Sequence, residues 1–315
     1  SAVRRGMVFM KFDMTKNRTT MTGALLLASV IWGSGAVFMQ VCIDGGIETG
    51  LQMFFRFWIG ALCLGALVHK KLRQINRRLL LCGTLCGTLL FFSFFILTLG
   101  LEFTTPANSA FLSASSVMLV PFISWIMLKI RPERKVFIGC FLCLLGVAVL
   151  SLQLGSGIYF TMGDSLTLLS AVFFSFYTCT VAKVSGGLDA SLFTFVQLLA
   201  TAIWSTITLP ISGADFSVIG QNWLSFGAVV FLGLFNTGLC YLIQMVAQKS
   251  LPPTRVSLIL SSESLFGAVF SVLAGYDPFS IRLVVGGGIM VFSILLVETN
   301  LFGSHSKKQI AAHVE

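Results

Sequence analysis

Runs of about 20 apolar residues recur along the whole chain, and each is long enough, at about 1.5 Å per helical residue, to cross roughly 30 Å of hydrocarbon. Ten spans are predicted: Met21–Ile43, Leu51–His69, Leu79–Leu99, Thr105–Leu128, Val136–Leu154, Gly163–Lys183, Ser191–Ile211, Leu224–Ala247, Thr254–Ala274 and Ile281–Phe302. A membrane β-barrel would need short strands of alternating polarity, whereas these runs are almost continuously apolar. Only 10% of the 315 residues are charged and 56% are hydrophobic, against roughly a quarter charged in a soluble domain. A water-soluble chain could not bury that much apolar surface. The sequence therefore predicts an all-α integral membrane protein with ten transmembrane helices. No small-residue cleavage pattern follows the first run, which distinguishes it from a signal peptide.

The net charge is +9, a balance that suits nucleic acid, acidic ligands or membrane topology, and position decides between them. With both termini cytoplasmic, all of the 21 Lys and Arg except Arg56, inside a span, and Arg282, in an outer connection, fall in the inner segments. That is the positive-inside distribution, and it calls for an even number of spans. Residues 1–20 are then a cytoplasmic N-terminal segment and 303–315 a cytoplasmic tail. A nucleic-acid partner becomes superfluous.

Sliding the second half over the first by 141 to 147 residues pairs the spans one to one. Leu51, Phe54 and Arg56 fall on Leu192, Phe195 and Gln197; Pro106 on Pro253; Ser115 on Ser262; Ser116 on Glu263; Gly139 on Gly286. Five is odd, so a second copy at 163–302 would enter the membrane opposite to the first at 21–154. Two inverted five-helix repeats are a carrier's architecture, because copies that fold alike and face opposite sides can exchange conformations around a central site.

Along that frame the chain carries Trp32-Gly33-Ser34 in the first span, Arg56 in the second, Thr104-Thr105-Pro106-Ala107-Asn108 opening the fourth, and Glu133 after it. Pro252-Pro253-Thr254-Arg255 opens the ninth, with Glu263 inside it. In this ordered set the chain resembles the drug/metabolite transporter superfamily, specifically its ten-helix EamA type, over Met21 to Phe302. The resemblance implies a secondary transporter of the bacterial cytoplasmic membrane, most often an exporter of amino acids or related metabolites. It also implies a central cavity lined by helices 1 to 4 and 6 to 9, with helices 5 and 10 peripheral. Two departures bear on helix geometry: the prolines usual about ten residues into helices 4 and 9 are replaced by Val117 and Ser264, and the acidic end of helix 9 is only approximated by Asp277.

Glu263 is the only acid near the middle of a span, where insertion costs about 2.5–3.5 kcal/mol unless it meets water, a partner or a proton. It reads as a contact for a substrate amine or a proton-coupling site, or as a protonated structural residue packing its helix. Arg56 either snorkels to the headgroups or turns inward to attract a carboxylate. Ser109, Ser113 and Ser116 share one helix face, as do Ser257, Ser261 and Ser264, and such stripes serve close packing or line a cavity. Asn108 is the stronger cavity candidate. Trp32, Phe95, Tyr177, Tyr241 and Gln244 lie mid-span on helices expected to face the cavity, with Ser116 beside them.

The eight cysteines lie mostly within apolar spans and read as small packing residues; neither Cys82/Cys86 nor Cys140/Cys143 is accompanied by an acid or a histidine. Gly83 with Gly87, and Gly286 with Gly287, offer close-packing surfaces or hinges. No phosphate loop, catalytic triad or zinc cluster is present, so neither a cofactor nor enzymatic activity is expected. The expected partners are the lipid bilayer and a small-molecule metabolite, with proton coupling open, for a monomer or weak homodimer. Two alternatives remain: an organophosphate or nucleotide-sugar exchanger, which would need several cations in the cavity where the sequence offers only Arg56, and a channel or sensor that is not a carrier.

Overall fold

The computed structural model describes residues 18–101, 103–104, 106–129, 131–151, 161–212, 216–218, 222–276 and 278–298, and among them the chain is helical with no strand. The first half contains α1 (Arg18–Asp44), α2 (Thr49–Val68, prolonged by a 3-10 turn at His69–Gln74), α3 (Arg77–Leu101), α4 (Pro106–Ala114), α5 (Ser116–Leu128) and α6 (Arg134–Ser151). The second contains α7 (Met162–Val184), α8 (Ala190–Thr208), α9 (Trp223–Phe231), a π-helical turn (Leu232–Leu239), α10 (Cys240–Gln248), α11 (Pro253–Leu260), α12 (Glu263–Leu273) and α13 (Ile281–Glu298).

Among the described residues, eight helical runs are long and apolar enough to cross a membrane: α1, α2, α3, α4 with α5, α7, α8, α9 through α10, and α11 with α12. The fifth and tenth predicted spans coincide with α6 and α13, each of 18 residues. Their predicted ends at 152–154 and 299–302 lie outside the described residues, as do 1–17, Thr105, Asp277 and 303–315.

Local chemistry sets where the helices begin. Thr161 and Asp164 form a reciprocal capping box at the start of α7, at 2.8 and 3.2 Å, so two otherwise unpaired amides are satisfied. Asp189 caps α8 by accepting from the amides of Ser191 and Leu192, and Asn222 caps α9. Pro253 opens α11 at a position where its missing N–H costs nothing.

The fourth and ninth spans break without the family's prolines. At Ser115, and at Ser261 and Ser262, the chain tightens to i→i+3 hydrogen bonding. The serine hydroxyls bond back to carbonyls of the preceding turn: Ser115 Oγ donates to Leu112 O at 2.5 Å, Ser261 Oγ to Leu258 O and Ser262 Oγ to Ile259 O, both at 2.6 Å. Serine back-bonding thus accompanies both breaks, and the fourth span also carries Pro121 inside α5.

Packing runs chiefly between the halves. α1 lies on α12 and on α9 through α10; α2 on α8 and the π-helical turn; α3 on α7 and α8; α5 on α7; and α6 on α13. Glycines set the closest crossings. A Cβ on Gly146 would stand 2.8 Å from Gly286 O and 2.6 Å from Met290 Cγ, so only glycine lets α6 and α13 meet as they do. The outward faces are apolar, with Leu67 72% and Ile126 77% exposed; in a bilayer these side chains meet lipid.

Candidate functional site

A cavity of about 170 Å³ lies at the junction of the halves, bounded by α1, α3, the α4–α5 break, α7 and the α11–α12 break. Hydroxyls dominate its polar wall: Ser113 and Ser116 from one broken span, Ser257, Ser261 and Ser264 from the other, with Ser93, Ser170 and Thr178 between them. Trp32, Phe94 and Phe174 supply the aromatic surface. The serine stripes thus face the cavity, while Ser109 at the far end of one is buried outside it.

Among the described residues, Glu263 is the one ionisable side chain on this wall. It sits deep in the bundle yet its side chain is exposed to the cavity, and it makes no hydrogen bond or ion pair among the described residues. It reaches the cavity because α1 touches α12 through Gly33. A Cβ there would stand 2.6 Å from Phe266 Cβ and 2.8 Å from Glu263 O. The neighbouring Trp32 and Glu263 are thereby brought to the same space, which gives the Trp32-Gly33 pair a physical purpose.

Arg56 turns inward rather than to the headgroups. It is buried, with Nε donating to Thr237 Oγ1 at 2.6 Å and an Nη to Asn236 Oδ1 at 2.7 Å. Its guanidinium carbon is 5.2 Å from the Phe94 ring centre and 5.8 Å from that of Phe57. Two charge-assisted hydrogen bonds at about 1.5–3 kcal/mol each, plus the ring contacts, offset the roughly 2.5–3.5 kcal/mol of placing a cation there. The side chain stands behind Phe94 rather than on the wall, near enough for its charge to act on Glu263.

Asn236 organises this region. Its Nδ2 donates to Ile31 O at 3.0 Å, its Oδ1 accepts from Arg56, and its own carbonyl accepts from Trp32 Nε1 at 2.6 Å. The π-helical turn is the element that presents both Asn236 and Thr237 to Arg56. Sequence reasoning passes over both residues; an amide inside an apolar run is the available signal.

Of the predicted site residues, Trp32, Ser116 and Glu263 lie on the cavity. Phe95 does not: it stacks on Phe91 with ring centres 5.3 Å apart, and its neighbour Phe94, one helical step round, takes the cavity position. Tyr177, Tyr241 and Gln244 are fully buried away from the cavity wall, with Tyr241 edge-on to both Trp32 (5.3 Å) and Tyr177 (6.2 Å). The side chain of Asn108 lies outside the described residues.

Beside the tyrosines, buried polar atoms accumulate without hydrogen-bond partners among the described residues. They are both side-chain polar atoms of Gln244, Oε1 of Gln197 and of Gln248, and Oγ1 of Thr178. Gln197 Nε2 bonds Tyr177 Oη at 3.2 Å, and Gln248 Nε2 bonds Thr178 O at 3.2 Å. Each orphaned atom costs about 1–3 kcal/mol.

A bundle of membrane-length helices around a small cavity lined by hydroxyls and apolar side chains defines a multi-pass membrane protein that handles a small molecule. The model of the EamA-like transporter family matches residues 20–152 and again 161–299; the chain belongs to that family and is a transporter. It is 25% identical over 278 residues to an uncharacterized transporter of Archaeoglobus fulgidus, covering 87% of this chain and 84% of that one. With the uncharacterized transporter YetK of Bacillus subtilis it shares 23% identity over 305 residues, covering 91% of each. A solved crystal structure at 18% identity superposes with a TM-score of 0.77, covering 90% of this chain and 97% of that one, and shares the fold.

Proposed function

We propose that this transporter is a secondary exporter of amino acids or similar small organic metabolites in the bacterial inner membrane, working by alternating access around the central cavity. It has ten spans in two inverted repeats, with both termini cytoplasmic. The observation that carries this reading is the cavity between the halves, with one unpaired carboxylate, Glu263, among hydroxyls and aromatic rings. A carboxylate there suits the ammonium of an amino acid, hydroxyls suit its polar groups, and rings suit an apolar side chain. A wall whose described residues include no Lys or Arg suits a phosphorylated substrate poorly.

Two further features support the inverted repeat. The family model matches twice, once in each half. The helix contacts also map onto themselves under exchange of halves: α1 on α12 mirrors α7 on α4 and α5, α2 on the π-helical turn mirrors α8 on α3, and α6 on α13 maps to itself.

In liposomes, the wild type is expected to show saturable counterflow of a substrate drawn from an amino-acid and amine panel. Glu263→Gln is expected to lower that flux and flatten its variation across about pH 5 to 8 while the protein still folds. Flux in the variant equal to wild type at every pH would remove Glu263 from the mechanism, and linear, unsaturable flux in the wild type would point to a channel.

A further inference from the structure

The orphaned polar atoms form a seam. On α10, Tyr241, Gln244 and Gln248 share one face; facing them are Tyr177 and Thr178 of α7 and Gln197 of α8. Thr178 belongs both to this seam and to the cavity wall. At the far end, beyond Gln248, Lys249 Nζ donates to Leu188 O, and Lys71 pairs with Asp189 at 2.8 Å. The seam therefore runs from the cavity toward one face of the bundle and is shut there by contacts among connecting segments.

A packed membrane interior has no use for bare amides, which favour water or a ligand. The repeat supplies the reason. At the same offset of 141 to 147 residues that aligns the two halves, Tyr177 falls on Trp32, Tyr241 on Phe94, Gln244 on Leu97 and Gln197 on Arg56. Trp32, Phe94 and Leu97 line the cavity, and Arg56 stands behind them. The buried seam is the counterpart of an exposed wall.

We propose that Tyr177, Gln197, Tyr241 and Gln244 form the substrate-contacting wall of the opposite conformation, hydrated and open to the face closed here by Lys249 and Asp189. The inference rests on the inverted-repeat carrier reading. When the halves exchange conformations, this wall presents two amides and two phenols where the present one presents an indole, a phenyl ring and a leucine. It recognises a small molecule through neutral hydrogen bonds, so the two states hold the same cargo by different chemistry.

Leu97→Cys and Gln244→Cys, each in otherwise wild-type protein in liposomes of known orientation, test this with a membrane-impermeant maleimide applied from either face. The expected result is labelling above the wild-type background at both positions, from opposite faces. Labelling at both from one face, or none at position 244 above background, overturns the proposal. A second variant guards against a purely structural role. Gln244→Leu is expected to keep or raise thermal stability, because it removes unpaired polar atoms, while slowing counterflow about tenfold or more. Lower thermal stability, or unchanged counterflow, counts against the seam. Wild-type counterflow of the amino-acid and amine panel separates the two levels: its absence overturns the carrier reading, and its presence with position 244 unreactive overturns the seam alone.

Discussion

Arg56 and Asn236 lie 180 positions apart and meet at 2.7 Å. Their pairing shows why a cation persists in the second span: its charge is held by an amide, a hydroxyl and two rings. Lysine keeps the charge but not the fork, so Arg56→Lys cannot reach Thr237 and Asn236 together. The substitution is expected to cost about 1.5–3 kcal/mol, read as a lowered melting temperature. Combined with Asn236→Ala in a double-mutant cycle, it should show a coupling of about 0.5–3 kcal/mol; additive losses would dismiss the pair. Glu263 and Arg56 are legible in the sequence because each is an ion where ions are expensive. Asn236 is not, since its importance comes from a contact across the halves and a local π-helical turn, neither of which leaves a periodic trace. The sequence points to Phe95 where Phe94 holds the place, because α3 is apolar nearly all round, and a helix without a polar stripe does not reveal its phase.

Helices contribute through how closely they approach. The crossing of α6 and α13 requires Gly146, and Gly146→Ala is expected to cost about 1–3 kcal/mol, because the α13 atoms in the way include backbone that cannot swing aside. Gly23 in α1 has open space where a methyl group would go, with nothing within 4 Å, and serves as the control. Gly23→Ala should leave stability unchanged or raise it by up to about 1 kcal/mol. Melting temperatures of the two variants in one detergent check the contrast. Gly286 is legible as a packing residue, but its partner is not: which helix receives a glycine depends on the tertiary crossing. The breaks at Ser115 and Ser261 stand two and three residues before Val117 and Ser264, and at each a serine hydroxyl bonds back to a carbonyl of the preceding turn.

Across the molecule, the two halves are also tied outside the spans. Burial would raise the Asp189 carboxyl, but hydrogen bonds from Lys71, Ser191 and the Leu192 amide, with the Lys71 charge, hold it down to about 2. Because the folded value lies below the unfolded value of about 3.9, this contribution to stability is fully present above about pH 4 and is lost as pH falls toward about 2. Asp189→Ala, which removes both the α8 cap and the tie to Lys71, is expected to cost about 1 kcal/mol near neutrality. Its stability curve should converge on that of the wild type in acid, and a constant gap at every pH would assign the loss to something other than the carboxylate. The helical membrane architecture is plain in the apolar runs, since lipid leaves a chain few choices. Where the cavity sits between the spans is not, because it depends on which faces of many similar helices meet.

The break before α12 places Glu263 in the first turn of a helix. The turn itself offers the carboxyl little, because Ser264 N already donates to Ser261 O and Phe266 N to Ser262 O. Glu263 enters the cavity with its own oxygens uncommitted among the described residues, so the first donor to arrive there, water or cargo, meets no rival from them.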